Sequence, residues 1–196
     1  MAQSAPMKKY ILIIAILLLL LPLIYGGFQM DNRFAPPPAQ TFLEVLEGKA
    51  EIIDGRTVVI NGQQIRLLNM DAPDLDQVCY TKKKQIGFRC GVVAAEKLAK
   101  LISHQTLTCE GEKKDAEGNL WATCYVGQLP QKIDINEQAV LSGWAVYDPA
   151  QSDKYKRIQG AAHNIRQGLW RAKFVMPWEW RAGDHAPPQP ITSNSK

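Results

Sequence analysis

The chain has 196 residues, 46% of them hydrophobic, with 23 Lys and Arg against 19 Asp and Glu and a formal charge of +4. Once an apolar N-terminal run and a polar tail are set aside, that length holds one globular domain and one core, and excludes a multidomain assembly. Residues 41–181 carry 19 Lys and Arg against 17 Asp and Glu, a net of +2, which excludes the global positive field of a dedicated nucleic-acid binder.

Lys8 and Lys9 precede an uncharged run over residues 10–28, long enough to cross a bilayer at about 1.5 Å per residue. The reading is an uncleaved signal anchor or transmembrane helix over residues 10–28, with residues 1–9 in the cytoplasm by the positive-inside tendency. The alternative is a signal peptide, removed so that the protein is secreted. No Ala-x-Ala follows Tyr25, and Gly26-Gly27 is a weak substitute. Residues 29–40, with Pro36-Pro37-Pro38, read as an extended spacer that lifts the domain off the membrane. The domain is thus expected on the periplasmic or extracytoplasmic side of the inner membrane, held by a single pass.

Residues 42–53 predict a long first strand. Asp54-Gly55 is a tight-turn dipeptide, and the β-branched and aliphatic runs 57–60 and 65–70 flank Asn61-Gly62, which predicts a β-hairpin. The second strand carries Arg66 and ends at Asp71-Ala72-Pro73-Asp74, where proline stops the ladder. Carboxylates three positions apart at a strand exit can hold a cation or polarise water; taken singly, each is equally a turn former. Lys82-Lys83-Lys84 with Arg89 follow in the next loop. They read as a solvated surface or, so close behind the two aspartates, as phosphate contacts.

Residues 91–102 have helical spacing, with Val92, Ala95, Leu98, Ala99 and Ile102 on one face. Strands are predicted at 105–110 and 120–126, a short helix at 133–142 stopping at Gly143, and an amphipathic helix at 154–167 stopping at Gly168. Trp144, Trp170, Trp178 and Trp180 are read as packing or clamping the C-terminal segment. Residues 182–196 are polar and proline-containing, a disordered tail by composition.

Four cysteines support export. Cys109 and Cys124 lie symmetrically about residues 115–118, so a regular hairpin would oppose them at a separation that a disulfide spans. Cys79 with Cys90 would close the intervening loop, worth about 2 to 3 kcal/mol. The competing assignments are free thiols and a zinc site. The latter lacks a Cys-x-x-Cys and has only three scattered histidines.

The ordered series over residues 45–181 resembles the staphylococcal nuclease (thermonuclease) family. The matching pieces are Asp54-Gly55-Arg56-Thr57, Arg66 in its strand, Asp71-Ala72-Pro73-Asp74, Cys90-Gly91 with the Ala94-Ala95 helix, the 115–118 turn, Leu141-Ser142-Gly143-Trp144-Ala145, Gly168-Leu169-Trp170, and Pro177-Trp178-Glu179-Trp180-Arg181. The resemblance implies an α+β domain over residues 41–181, a five-stranded OB-fold β-barrel with about three helices.

Members that cleave nucleic acids, as the resemblance implies, use calcium held by two aspartates, a glutamate that helps activate water, and two arginines on the phosphate. Here Arg56 stands at the first metal aspartate and Asp71 at the second. Arg66 stands at the first arginine, Asp74 at the glutamate and Asn119 at the second arginine. A guanidinium in place of a ligand carboxylate should exclude calcium, and Asn119 lacks the fixed charge and fork of arginine. Arg56 is expected to pair with Asp71 as an internal counter-ion, or else to point to solvent at its turn. Two functions compete. One is a degenerate, cofactor-free module that binds an envelope protein, nucleic acid or another anionic polymer. The other is a calcium-dependent endonuclease of reduced activity, with Arg66, Lys82, Lys83 and Lys84 on the phosphates.

Overall fold

The computed structural model describes residues 43–128 and 131–185, so the anchor and spacer, and residues 186–196 of the tail, lie outside the described residues. No described helix is long and apolar enough to cross a membrane.

The predicted first strand is two strands, β1 (Glu44–Lys49) and β2 (Glu51–Asp54), separated only by Ala50. β2 pairs antiparallel with β3 (Thr57–Ile60), and β3 with β4 (Gln63–Leu67). Ile60 opposes Gln63, so Asn61-Gly62 is the whole loop, and both residues have positive φ, 51° and 80°. That geometry matches the right-handed strand twist and explains the glycine. β4 ends earlier than expected because Asn69 adopts φ 63°. The chain resumes as β5 (Met70–Asp71), which leaves the main sheet.

β6 (Val78–Thr81) and β7 (Gly87–Arg89) form a small hairpin, and helix α1 (Cys90–Ile102) follows at once. Its buried face is Cys90, Gly91, Ala94, Leu98 and Ile102, so Ala94 takes the inward place expected of Ala95, and Ala99 is exposed. Alanines fit either side of a helix, and the pattern there carried no phase. β8 (Thr106–Lys114) and β9 (Leu120–Val126) form the next hairpin, with β8 ending four residues later than predicted. Cys109 does oppose Cys124 and is bonded to it, and Cys79 is bonded to Cys90. The hairpin is nevertheless irregular: a shift between Gly111 and Lys113 offsets an asymmetric turn.

β10 (Ile133–Asp134) takes the first two residues of the predicted helix onto β9, and helix α2 (Ile135–Leu141) begins on the cap of Asp134, whose Oδ1 accepts from Glu137 N at 2.9 Å. β11 (Val146–Tyr147) pairs with β5. Helix α3 (Lys156–Asn164) is shorter than predicted, and Gly168 opens a 3-10 turn (Gly168–Arg171) instead of ending a helix. β12 (Ala172–Lys173) pairs with β6, and α4 (Pro177–Arg181) makes four α-helices among the described residues where about three were expected. The fourth has Pro at its first position, and Glu179 Oε2 accepts from Met176 N at 3.0 Å.

The main sheet runs β1-β8-β9-β4-β3-β2 and curls into a half-barrel. Val58, Ile60, Ile65, Leu67, Leu107 and Leu120 turn inward and are almost wholly buried, each worth about 1.5 to 3 kcal/mol of apolar burial. Asn136, also fully buried, ties α2 to the seam between β4 and β9. Its Oδ1 accepts from Cys124 N, and its Nδ2 donates to Leu68 O and Ala122 O at 3.0 and 3.1 Å. The strand exit that carries Asp71 is thereby held against the sheet.

Candidate active site

Four segments meet at the exit of the hairpin. Arg56 sits in the tight turn between β2 and β3, where Asp54 Oδ1 accepts from its backbone N at 2.8 Å. Asp71 ends β5, Asp74 lies just beyond Pro73, and Arg181 closes α4. Helix α1 fixes the Asp74 backbone by direct contact. A Cβ on Gly91 would lie 1.8 Å from the Asp74 carbonyl oxygen, so only glycine lets the helix start that close.

Arg56 and Asp71 are both buried. Arg56 Nη1 donates to Asp71 Oδ1 at 3.0 Å and to Ala72 O at 2.9 Å, and Arg56 Nη2 donates to Asp74 Oδ1. The expected Arg56–Asp71 pair is thus present, extended to Asp74. The sequence reading had Arg181 only as the end of the closing Pro177–Arg181 segment and gave it no role at the site. It lies 110 residues from Asp71, and its Nη2 donates to Asp71 Oδ2 while Nη1 donates to Asp74 Oδ2 at 3.3 Å and Asp71 Oδ1 at 3.4 Å. Nothing local marks it: it is one arginine at the end of a short helix, brought to the site by the return of the chain. All four oxygens of Asp71 and Asp74 therefore accept from a guanidinium.

Arg66 is near but engaged differently. Its Nη1 meets Thr57 Oγ1 at 3.4 Å, and its guanidinium carbon lies 5.5 Å from the centre of the Trp121 ring. Burial first, and then the charge of Arg56, hold its pKa below the ordinary arginine range, against the pull of Asp54 and Asp71. It stays charged. At Arg181 burial also lowers the pKa, but the carboxylates of Asp71 and then Asp74 outweigh it and raise it above the ordinary range. Arg56, Arg66 and Arg181 thus balance Asp54, Asp71 and Asp74.

The remaining sequence-derived positions lie apart from this cluster. Asn119 is turned into its own loop, its N and Nδ2 donating to Asp115 at 2.8 and 3.0 Å. Lys82, Lys83 and Lys84 line a groove with Arg166 and Arg171 and share no lining residue with the ion pairs.

Calcium takes six to eight oxygen ligands. To bind here it would have to displace a guanidinium from every oxygen of Asp71 and Asp74 and add charge to a balanced cluster, so these residues do not fit it. Both oxygens of Asp74 are likewise engaged by a guanidinium, so a water held there would share them with Arg56 and Arg181. Among the described residues Arg66 is the one guanidinium of the cluster with no ion pair, and the group best able to meet an anion.

A protein-family model described as staphylococcal nuclease homologue matches residues 64–172, more than half of the 196 residues. The succinoglycan biosynthesis protein ExoI of Rhizobium meliloti (strain 1021) is 33% identical over 132 residues, which cover 66% of this chain and 67% of that protein. The probable staphylococcal-like nuclease CAN4 of Oryza sativa subsp. japonica is 26% identical over 145 residues, 72% of this chain but 26% of that protein.

Proposed function

We propose, from the premise that this chain belongs to the staphylococcal nuclease homologue family, that its nuclease pocket has become an ion-paired lock and that the domain works as a binding module. The observation that carries this reading is the double engagement of Asp71 and Asp74 by Arg56 and Arg181. Such a cluster keeps the pocket's shape without a metal, because breaking a buried ion pair leaves an uncompensated charge. The two ends of the curled sheet lie on either side of Ala50, which supports reading it as the five-stranded OB barrel that the resemblance implies.

The disulfides support an extracytoplasmic setting, and the uncharged run over residues 10–28 supports a single-pass tether at the inner membrane. A relative named as a succinoglycan biosynthesis protein supports a role connected with a glycan rather than with nucleic-acid cleavage. Extraction of membranes with alkaline carbonate should leave the protein in the pellet. Release into the supernatant would sink the tether.

The test of the pocket is endonuclease activity of the oxidised full chain on single-stranded DNA and RNA, with calcium or with a chelator. No cleavage is expected. Activity should appear on Arg56→Asp, Asp74→Glu, Asn119→Arg and Arg181→Ala together, which restores the family's groups and frees the carboxylates. The second reading, a slow calcium-dependent nuclease, is favoured by the unpaired Arg66 beside Thr57. Chelator-sensitive cleavage by the unaltered chain, lost in Arg66→Ala, would establish it and overturn the first.

A further inference from the structure

Of the four large hydrophobic side chains that are more than half exposed among the described residues, Ile86 (56%) and Ile165 (66%) meet in one place. Both line an open depression of about 610 Å³, Ile86 from the turn of the β6–β7 hairpin and Ile165 from the end of α3. Closed turns hold them there. Ile86 N donates to Thr81 Oγ1 at 3.1 Å, and Ile86 O accepts from Thr81 N at 3.0 Å, above the Cys79–Cys90 disulfide at the hairpin base. Ile165 N donates to Ala161 O at 3.3 Å, and Arg166 then turns the chain with φ 55°. Exposed apolar side chains scattered singly are ordinary on a protein surface. Two presented side by side from fixed turns are not scattered.

Apart from Thr81, the rest of the lining is cationic: Lys82, Lys83 and Lys84 on the hairpin side, and Arg166 and Arg171 facing them. All five are exposed, and among the described residues none is in an ion pair and no carboxylate lines the depression. This composition separates the partners that such a surface could meet. The centre of a protein interface is depleted in lysine and built on packed aromatic and apolar groups, and two isoleucines are too little apolar surface for one. A soluble anion would use the cations and leave the isoleucines in water. A bilayer surface uses both, because apolar side chains enter the boundary between headgroups and acyl chains while the surrounding Lys and Arg meet anionic headgroups.

We propose that this face docks on a membrane that carries anionic lipid, with Ile86 and Ile165 entering the bilayer boundary and the five cations at headgroup level. Lysine and arginine suit that rim, since their apolar stems lie along lipid while the charged ends stay in water. Two apolar side chains with a basic patch make a weak, reversible anchor on their own, and stable attachment takes a second signal. The tether proposed above supplies it. Residues 29–42 reach at most about 50 Å from the end of the uncharged run, so the face stays at high local concentration over the lipid and sets how the domain is turned toward it. The ion-paired pocket contributes no residue to this face, and the inference does not depend on the pocket being locked.

The test is bilayer-depth quenching on the oxidised full chain in phosphatidylcholine vesicles, with or without phosphatidylglycerol, that contain a lipid with a nitroxide near the headgroup end of its acyl chain. An environment-sensitive fluorophore is attached at Asn164→Cys, beside Ile165, or at Ala116→Cys, in the β8–β9 turn; both positions are exposed. With phosphatidylglycerol present, quenching at position 164 should be at least about twofold stronger than at position 116. Ile86→Ser with Ile165→Ser should remove most of that difference, and Lys83→Glu with Lys84→Glu should abolish its dependence on phosphatidylglycerol. Equal quenching at the two labels, or a difference that survives both pairs of substitutions, would overturn the proposal. So would loss of the difference on adding polygalacturonate or oligo(dT) at matched charge, which would show that the face prefers a soluble polyanion. Alkaline carbonate extraction reads the tether separately, so failure of the tether would leave this result standing on its own.

Discussion

Arg56 and Arg181 hold the same two carboxylates from different depths, and the difference sets what each is worth. Arg56 is buried with Asp71, whereas the Arg181 side chain is 38% exposed. Arg56→Ala should therefore cost about 2 to 4 kcal/mol, somewhat under the usual penalty of a broken buried pair because Arg181 remains. Arg181→Ala should cost about 1 kcal/mol, since water can partly replace it. Urea denaturation of the two variants checks the order; equal costs would mean that Asp71 does not depend on the buried guanidinium. Gly91→Ala tests the other fixed point. The new methyl would meet the Asp74 carbonyl at 1.8 Å, and a loss of about 3 kcal/mol or more is expected from backbone that must shift. Of this cluster the sequence showed Arg56, Arg66, Asp71 and Asp74, because they lie within one hairpin and its exit. Arg181 was legible as the end of the matching series, but its role at the site was hidden because that role rests on a contact across 110 residues.

Helix α2 is anchored at its start by one side chain with two tasks. Asp134 caps the helix with Oδ1 and accepts from the buried Tyr155 hydroxyl with Oδ2 at 2.8 Å. Burial first, then the Asp134 charge and this hydrogen bond, push the Tyr155 hydroxyl well above its usual range. A phenol whose folded pKa is raised adds stability that is complete below its unfolded value of about 10 and is lost as pH rises toward the folded one. Stability should thus be flat between about pH 7 and 10 and fall above. Tyr155→Phe should fall less steeply there, at the cost of about 1 kcal/mol at neutral pH for the missing hydrogen bond. Thermal melts across that range measure it. The β6–β7 hairpin depends instead on its covalent base: Cys79→Ser with Cys90→Ser should lose about 2 to 3 kcal/mol by loop closure. Urea denaturation of this variant measures it, and an unchanged midpoint would show that the bond does not organise the hairpin.

Across the whole domain, charge is sorted into two regions that a net of +2 over residues 41–181 conceals. One is a buried, neutral lock of guanidiniums and carboxylates; the other is a surface track of unpaired cations. A salt titration of stability separates them, because buried pairs are screened little while repulsion among exposed like charges is screened strongly. Added salt should raise the melting temperature of the unaltered domain slightly and that of Lys84→Glu with Arg171→Glu less.

The sequence by itself determined the local elements and the hairpin chemistry. Asn61-Gly62 specifies its turn, and the placing of Cys109 and Cys124 on either side of one turn specifies their bond, because each depends on residues close in the chain. Tertiary structure alone decided the rest: the break of the first strand at Ala50, the phase of α1 among interchangeable alanines, the closure of the pocket by Arg181, and the meeting of Lys84 with Arg171 along one groove. Those outcomes depend on which surfaces the folded chain brings back together. No periodicity or spacing encodes them, since the energy lies in interactions between residues far apart in the chain.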